Sequence, residues 1–448
     1  MKRVITYGTY DLLHYGHINL LKRAKELGDY LIVGVTADDF DKARGKINVQ
    51  QSLMERIEAV KATGLADEII VEEYEGQKID DIQRYDVDIF TVGSDWKGKF
   101  DYLNEYCKVV YLERTEGISS TQLRENRSFL RIGFVGDALM LQKYAKEMEF
   151  VNGVQLSAAY LKDRKSNEEQ CNIINCFSFE EILEYCDAVL IESPPQDHVQ
   201  QIKLALRNDK HVMCESPIAL TTREAKELYN LAKEKRLVLM EAIKTAYSTA
   251  YNRLLLLVKS GKIGQVVSID ATCTSQKELD QAKKDYKKIA WNSICGWGPT
   301  ALLPIFQIYG TNPKNTQIIS MFLDEDKKFD SFTKINFIYP KGTASIKVGK
   351  GVKSEGDLVI TGTKGYIYVP APWWKLDYFE IRYEKIEDKK RFFYQLDGEG
   401  IRYELVSFVQ MIKDKRKNDY ITEECSLAIS NIMEEFFLKQ ENCYEVLK

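Results

Sequence analysis

A pair of closely spaced histidines is the most informative chemical feature of the sequence. His14 and His17 lie in the segment GTYDLLHYGH, residues 8–17, directly after a short β-branched run, and the whole chain has only four histidines. Because Gly16 relaxes the backbone at a turn into a helix, both imidazoles can converge at the carboxyl end of the first strand. Imidazole N–H donors beside a helix N-terminus suit the attack of a substrate phosphate on the α-phosphate of a nucleoside triphosphate, with pyrophosphate leaving. The alternative is that one histidine only packs or caps the helix.

The elements that must position these histidines are visible in the hydrophobic pattern. Short β-branched runs alternate with amphipathic segments from Lys2 to Leu112, which predicts a mostly parallel, doubly wound sheet. A second alternating series begins at Arg131, after a polar stretch at 121–128. Beyond about residue 265 strand-like runs follow one another with fewer helices, which predicts a largely antiparallel sheet, closed by helices over 402–412 and 423–439. We therefore predict an α/β protein with three domains, 1–128, 129–245 and 246–448.

Composition limits the possible classes of function. At 448 residues the chain exceeds what one hydrophobic core supports, and its net charge of −4 provides no basic field for a nucleic-acid partner. We expect no membrane insertion, since no apolar stretch approaches the roughly 18 residues that a membrane span needs. The nine cysteines form no C-x-x-C pair, which fits neither a disulfide framework nor a zinc site. Reduced thiols in a cytoplasmic protein are the expectation.

Three blocks resemble the glycerol-3-phosphate cytidylyltransferase family, within the HxGH nucleotidyltransferase superfamily. They are GTYDLLHYGHINLLKRAKELGDYLIVGV from residue 8, GSDWKGKFDYL at 93–103 and RTEGISST at 114–121, in that order within residues 1–127. The resemblance implies that His14 and His17 hold the triphosphate and the transition state, with Lys46 and Arg114 as further catalytic cations. The nucleotide- and substrate-binding residues that it implies are Thr9, Tyr10, Asp11, Arg44, Arg56, Asp95, Trp96, Thr115, Gly117, Ile118 and Ser119. The implied reactants are CTP, accompanied by Mg²⁺, and a small polyol phosphate, with no metal site in the protein itself.

The sequence departs from that family at two positions. Arg44 stands where family members often carry a lysine, and Gly64 stands where a second arginine is expected eight residues after Arg56. On that alignment one contact with the acceptor is missing. The identity of the alcohol, glycerol 3-phosphate or a close relative, is therefore left open.

The second half resembles the Gfo/Idh/MocA oxidoreductases. The segments that carry the resemblance are CESPIALT at 214–221, VLMEAIK at 238–244 and SGKIGQV at 260–266. It implies a Rossmann-type domain with an appended sheet domain, and NAD(P) as a candidate cofactor. The implied cofactor-binding residues are Gly133, Gly136, Asp137, Ala138, Glu215, Pro217 and Lys244. The glycine fingerprint is only partial, because Ala138 and Leu141 replace its second and third glycines, so a purely structural strand–turn–helix is an equal alternative.

The resemblance also leaves the activity of the second half open. Ser216 stands at the family's lysine, and 296–300 replaces the usual D-x-G-x-H segment. Lys244 or Tyr247 is a candidate replacement acid; the alternative is that both lie on a solvated helix start. One hypothesis is a bifunctional enzyme whose second half reduces the polyol precursor. The other is a cytidylyltransferase whose second half is non-catalytic and serves for dimerisation or ligand sensing. A homodimer is expected from both families, and a protein that merely binds nucleotides conflicts with the intact HxGH motif.

Overall fold

The structure of the protein is a computed structural model. It describes residues 1–37, 40–41, 49, 51, 53–74, 76–113, 129–151, 153–161, 173–276, 292–322, 329–394, 396–413, 418 and 420–438. The chain forms two compact units. The first comprises Met1–Phe129 with Phe150–Gly153, and the second comprises Leu130–Glu149 and the chain from Val154 onward.

The first unit is built on a five-stranded parallel sheet in the order β3-β2-β1-β4-β5. Its elements are β1 (Arg3–Gly8), α1 (Tyr15–Lys25), β2 (Tyr30–Thr36), α2 (Leu53–Ala62), β3 (Glu68–Glu72), α3 (Gln77–Arg84), β4 (Ile89–Gly93) and β5 (Lys108–Leu112). Continuous apolar runs form the central strands because both sheet faces are covered, and Val4, Ile5 and Ile32 are wholly buried. The chain leaves β1 toward β2 on one side and returns to β4 on the other. The carboxyl end of β1 is therefore the switch point at which such sheets bind ligands.

The second unit contains a six-stranded parallel sheet in the order β11-β10-β9-β6-β7-β8. Its elements are β6 (Leu130–Gly136), α4 (Ala138–Met148), β7 (Val154–Leu161), β8 (Ile174–Cys176), α5 (Phe179–Ile182), β9 (Ala188–Ile191), α6 (Pro195–Arg207), β10 (His211–Glu215), α7 (Thr222–Lys235) and β11 (Leu239–Ala242). Buried strands such as β9 are again continuous apolar runs. The parallel, doubly wound arrangement predicted from the sequence is confirmed in both units.

The second unit continues into an eight-stranded sheet in the order β13-β14-β15-β12-β16-β17-β18-β19. Its elements are α8 (Lys244–Tyr247), α9 (Thr249–Lys259), β12 (Val266–Thr274), α10 (Ser293–Tyr309), β13 (Asn315–Phe322), β14 (Asp330–Tyr339), β15 (Gly342–Gly349), β16 (Leu358–Gly362), β17 (Tyr366–Val369), β18 (Tyr378–Arg382), β19 (Lys390–Phe393), α11 (Ile401–Lys413) and α12 (Glu423–Leu438). β12 and β15 pair in parallel, and the other neighbours pair antiparallel. The largely antiparallel sheet and both closing helices were predicted. The long helix α10 was not.

Two further observations concern membrane-spanning helices and the state of the cysteines. In the part of the chain that the structure describes, no helix is both long enough and apolar enough to span a bilayer. The described cysteines carry free thiols, namely Cys107, Cys176, Cys186, Cys214, Cys273, Cys295 and Cys425. Cys171 and Cys443 lie outside the described residues.

Candidate active site

The two histidines meet where β1 passes into α1. His14 is the N-cap of α1, and its Nδ1 accepts a hydrogen bond from the backbone N–H of Gly16 at 3.1 Å. His17 lies one turn into the helix, and the two imidazoles stack with ring centroids 3.9 Å apart. Because Nδ1 of His14 accepts a hydrogen bond, the neutral imidazole carries its proton on Nε2. Nε2 is therefore the donor nitrogen of this ring. The site thus places two half-buried imidazoles beside the positive end of a helix.

The loop before α1 has an unusual backbone that its neighbours hold in place. Tyr10 and Leu12 adopt left-handed conformations, with φ of 54° and 49°. Each such conformation costs about 1–2 kcal/mol for an L-residue and persists only where the surroundings fix it. Gln51 holds this loop through two hydrogen bonds. Its backbone N–H donates to Asp11 Oδ1 at 3.0 Å, and its Oε1 accepts from the Leu12 N–H at 2.8 Å. Tyr10 itself is buried, and its ring packs edge-on against His17.

Arg56 supports this loop from beneath. Its side chain is wholly buried, and Nη1 donates to the carbonyl oxygens of Thr9 at 2.7 Å and Thr36 at 2.8 Å. Nε donates to the Gln51 carbonyl at 3.2 Å, and Asp41 lies 3.5 Å away as the counter-charge. Thr9 Oγ1 donates to the same carboxylate at 2.7 Å. Arg56 therefore ties the ends of β1 and β2 together under the motif, and a direct contact of Arg56 with substrate stays a prediction.

Asp95 and Trp96 lie at the same edge of the sheet, in a 3₁₀ turn that directly follows β4. Since β4 pairs with β1, this turn neighbours the histidine loop. Asp95 is exposed, whereas Trp96 is half-buried against Phe100, with ring centroids 5.9 Å apart. The ammonium of Lys99 lies 5.0 Å from the Trp96 ring centroid and adds a cation that sequence reasoning missed, although it stands within the GSDWKGK block.

Seven residues that were predicted for this site lie outside the described residues. They are Arg44, Lys46, Arg114, Thr115, Gly117, Ile118 and Ser119. β5 ends at Leu112 on the same edge as β1, because the two strands run parallel in one sheet. The roles of these seven residues in phosphate binding stay predictions.

Gly64 lies away from the histidine loop. It follows the last turn of α2 with φ of +66°, and the chain then enters the amino end of β3. Arg56 reaches the carboxyl ends of the strands, so Gly64 lies at the opposite edge of the sheet. A left-handed glycine is a common helix terminator. The loss of an acceptor contact at Gly64 stays a prediction.

The corresponding edge of the second unit begins at the turn between β6 and α4. Asp137 is the N-cap of α4, and its Oδ1 accepts from the Met140 N–H at 2.8 Å. A Cβ placed on Gly133 would lie 3.0 Å from the Ile182 side chain, and one on Gly136 would lie 2.9 Å from Glu192 Cβ. Both glycines are therefore required by packing within the protein. Ala138 opens the helix.

Acidic residues gather beside this turn. Tyr144 Oη lies 2.7 Å from both Glu192 Oε1 and Glu404 Oε1. A hydroxyl has one proton to donate, so the second bond requires a protonated carboxyl group. Burial raises the pKa of Glu404 to about 8, so Glu404 is the carboxyl group that carries this proton. Burial and the neighbouring Glu192 also raise the pKa of Glu215 well above its usual range.

Lys244 lies among these carboxyl groups, with its ammonium 5.7 Å from the Tyr144 ring centroid. Burial alone would lower the pKa of Lys244, but the charges of Glu192, Glu215 and Glu404 raise it, so the ammonium stays protonated. We refer to Tyr144, Glu192, Glu215, Lys244 and Glu404 as the sheet-edge cluster.

Other positions considered for acid–base chemistry are engaged within the protein. Ser216 Oγ donates to the buried carboxylate of Glu241. Tyr247 Oη donates to the Glu241 carbonyl at 3.0 Å and accepts from Asn418 Nδ2 at 3.0 Å. Gly296 is crowded by the Lys350 side chain. Tyr247 is thus a core residue, whereas Lys244 does reach the carboxyl edge of the sheet.

Comparison with known proteins agrees with this division. Residues 5–126 match the cytidylyltransferase-like family, and residues 130–243 match the oxidoreductase family with an NAD-binding Rossmann fold. Glycerol-3-phosphate cytidylyltransferase of Bacillus spizizenii is 52% identical over 130 residues, which is 29% of this chain and 100% of that protein. An NADP-dependent scyllo-inositol 2-dehydrogenase of Bacillus subtilis is 25% identical over 327 residues, 68% of this chain and 95% of that protein.

A solved structure supports the fold of the second unit. A 3-ketoreductase from Actinomadura kijaniata has a TM-score of 0.62 at 15% identity, covering 71% of this chain and 99% of that one. At this identity the likeness shows the fold alone. The chain is therefore a nucleotidyltransferase that belongs, through its first unit, to the glycerol-3-phosphate cytidylyltransferase family, and its second unit contains a Rossmann-fold region, residues 130–243, that matches the Gfo/Idh/MocA oxidoreductase family.

Proposed function

We propose that the protein transfers CMP from CTP to glycerol 3-phosphate or a closely related polyol phosphate, giving a CDP-alcohol and pyrophosphate. The observation that carries the proposal is the stacked pair His14 and His17 at the switch point of the first sheet. The 52% identity to a complete glycerol-3-phosphate cytidylyltransferase supports the choice of nucleotide and acceptor.

The reaction is a single in-line displacement. An oxygen of the acceptor phosphate bonds to the α-phosphorus of CTP while the bond to the pyrophosphate oxygen breaks, and the attacking oxygen is already anionic, so no base is needed. Negative charge builds up around the α-phosphate. Nε2–H of His14, the ring of His17 and the positive end of α1 stabilise that charge. The strained loop at 9–12 and the buried Arg56 hold these groups in place before substrate arrives.

Mg²⁺ is proposed to accompany the triphosphate. Among the described residues no group of three or more His, Cys, Asp or Glu side chains could hold a metal ion. A magnesium ion bound mainly by phosphate oxygens and water fits such a site, since Mg²⁺ retains several waters and needs few protein ligands.

For the second unit the sequence left precursor reduction and a non-catalytic role open. The hydrogen bond of Ser216 to Glu241, together with the lack of any acidic or histidine side chain at 296–300, favours the non-catalytic role in dimerisation or ligand sensing. We also propose a homodimer in the cytoplasm, and light scattering after size exclusion tests the oligomeric state.

A pyrophosphate-release assay with purified full-length protein tests the transfer reaction. CTP, Mg²⁺ and a panel of polyol phosphates should release pyrophosphate only when nucleotide and acceptor are both present, with the CDP-alcohol identified by mass. His17→Ala should lower the rate by about 10²–10³-fold, as for removal of one preorganised donor. Lys22→Ala, an exposed change on the same helix, is the control and should match wild type. Failure of every acceptor, or near wild-type turnover by His17→Ala, would refute the assignment.

A further inference from the structure

Four neighbouring strands of the second unit lead into charged residues at the same edge. In the sheet order β11-β10-β9-β6, these residues are Lys244, Glu215, Glu192 and Asp137. Carboxyl ends of parallel strands are where this class of sheet takes its ligand, and the family implies a dinucleotide there. Three of the four residues carry carboxyl groups, and two of them, Asp137 and Glu192, directly follow the neighbouring strands β6 and β9. A diphosphate would meet them at close range.

The start of α4 is already occupied by a carboxylate. A diphosphate binds a Rossmann fold through free backbone N–H groups and the positive end of this helix. Here the Asp137 side chain accepts the Met140 N–H at 2.8 Å, so it takes up one of those donors and puts a negative charge in front of the helix. A phosphate that approached the start of α4 would therefore lie next to the Asp137 carboxylate, which carries the same sign of charge.

Glu192 lies directly beside Gly136. Its Cβ lies 2.9 Å from the position that a Cβ on Gly136 would take, so this glycine serves contact with Glu192. Tyr144 then fixes Glu192 by a 2.7 Å hydrogen bond and links it, at the same distance, to Glu404 on α11. The carboxylate cannot swing away without breaking that network.

The cation of the cluster lies among the same side chains, with its ammonium 5.7 Å from the Tyr144 ring centroid. The neighbouring acids, with Glu192 first among them, keep the Lys244 ammonium protonated. Its charge therefore offsets acidic neighbours and is not a spare cation for a phosphate.

We infer that the second unit does not bind NAD(P)(H) through the diphosphate site of its family, because the sheet-edge cluster and Asp137 have turned that edge into a closed, acidic network. The residues present do not fit the dinucleotide. This inference is independent of cytidylyl transfer by the first unit, so the two can fail separately.

A binding measurement on the full-length protein tests it. NADH and NADPH are titrated by nicotinamide fluorescence, and CTP is titrated against the same preparation by calorimetry to show that the protein is competent. We expect no half-saturation by either dinucleotide below about 1 mM. Half-saturation at a lower concentration would overturn the inference, whether or not pyrophosphate is released.

A pair of variants tests whether charge is the cause. Asp137→Ser with Glu192→Gln removes both carboxylates while keeping a capping hydroxyl for α4 and a partner for Tyr144. Glu227→Gln with Glu234→Gln removes the same charge from the exposed face of α7. The first pair should bind dinucleotide at least about tenfold more tightly than wild type, and the second pair should not. With thermal unfolding unchanged, equal binding by both pairs would refute the electrostatic explanation.

Discussion

Replacing Glu404 by glutamine should remove much of the pH dependence of the second unit's stability. Glu404 is wholly buried, and burial raises its pKa from 4.5 to about 8, although Lys244 and the hydrogen bond from Tyr144 act in the opposite direction. The unfolded chain releases this proton near pH 4.5, whereas the folded protein keeps it until about pH 8. Between these values the folded state binds more protons, so the free energy of unfolding falls as the pH rises.

The size of the effect follows from the same shift. One proton retained by the folded state changes the free energy of unfolding by about 1.4 kcal/mol per pH unit, or roughly 2.7 kcal/mol between pH 5.5 and pH 7.5. Glu215, whose pKa burial and Glu192 also raise, adds to the slope with the same sign. The wild-type slope should therefore decrease in Glu404→Gln without vanishing. Glutamine keeps the shape of the side chain and a hydrogen bond to Tyr144.

Urea unfolding at pH 5.5, 6.5 and 7.5 measures this slope. Tryptophan fluorescence reports mainly on the second unit, because four of the five tryptophans follow residue 290. Glu227→Gln is the control, since this exposed carboxylate pairs with Lys203 on the surface at 2.9 Å. It should keep the wild-type slope. A Glu404→Gln protein with an unchanged slope would show that Glu404 is not the buried acid that we describe.

The remaining predictions concern three other side chains. His14→Asn retains a side-chain cap for α1 but loses the imidazole, so the rate of pyrophosphate release should fall by about 10²-fold with unchanged thermal stability; wild-type turnover would mean that His14 only caps the helix. Arg56→Met removes the counter-charge of Asp41 and the donor to three backbone carbonyls, and calorimetry should show the first unit destabilised by about 3–5 kcal/mol. Lys244→Met should destabilise the second unit by roughly 3 kcal/mol at pH 8. The loss should be smaller at pH 6, because the neighbouring carboxyl groups are then protonated and need no cation. Equal losses in the free energy of unfolding at both pH values, measured by urea unfolding, would contradict this.

Elements with a strong local pattern could be predicted from the sequence. β2 (Tyr30–Thr36) and α2 (Leu53–Ala62) both lie within the alternation of strand-like and amphipathic segments that the sequence shows from Lys2 to Leu112. Parallel strands that are buried on both faces have continuous apolar sequences, which makes them visible in the sequence. Because such sheets bind ligands at their switch point, the position of the histidines then follows. The chemistry of the first unit was accessible because its two key side chains lie within one turn of the chain.

Features set by long-range packing could not be predicted in this way. α10 contains Pro299 and Pro304, which disfavour helix, yet its buried face packs against the eight-stranded sheet and outweighs that preference. The partners in the sheet-edge cluster are 48 and 260 residues apart, so no local pattern joins them. The three carbonyls that Arg56 binds likewise follow from the fold and not from the sequence near the motif.

The two parallel sheets of this chain show how little the fold alone says about the ligand. In both units a strand passes into a helix at the carboxyl edge, with a helix N-terminus that favours anions. In the first unit the N-cap is His14, stacked on a second imidazole. In the second unit the N-cap is Asp137, beside a cluster of carboxyl groups. Because anion affinity at such an edge depends on these side chains, a likeness in fold alone does not assign the activity of a reductase to the second unit. The first unit, by contrast, is 52% identical to a glycerol-3-phosphate cytidylyltransferase over the whole length of that protein.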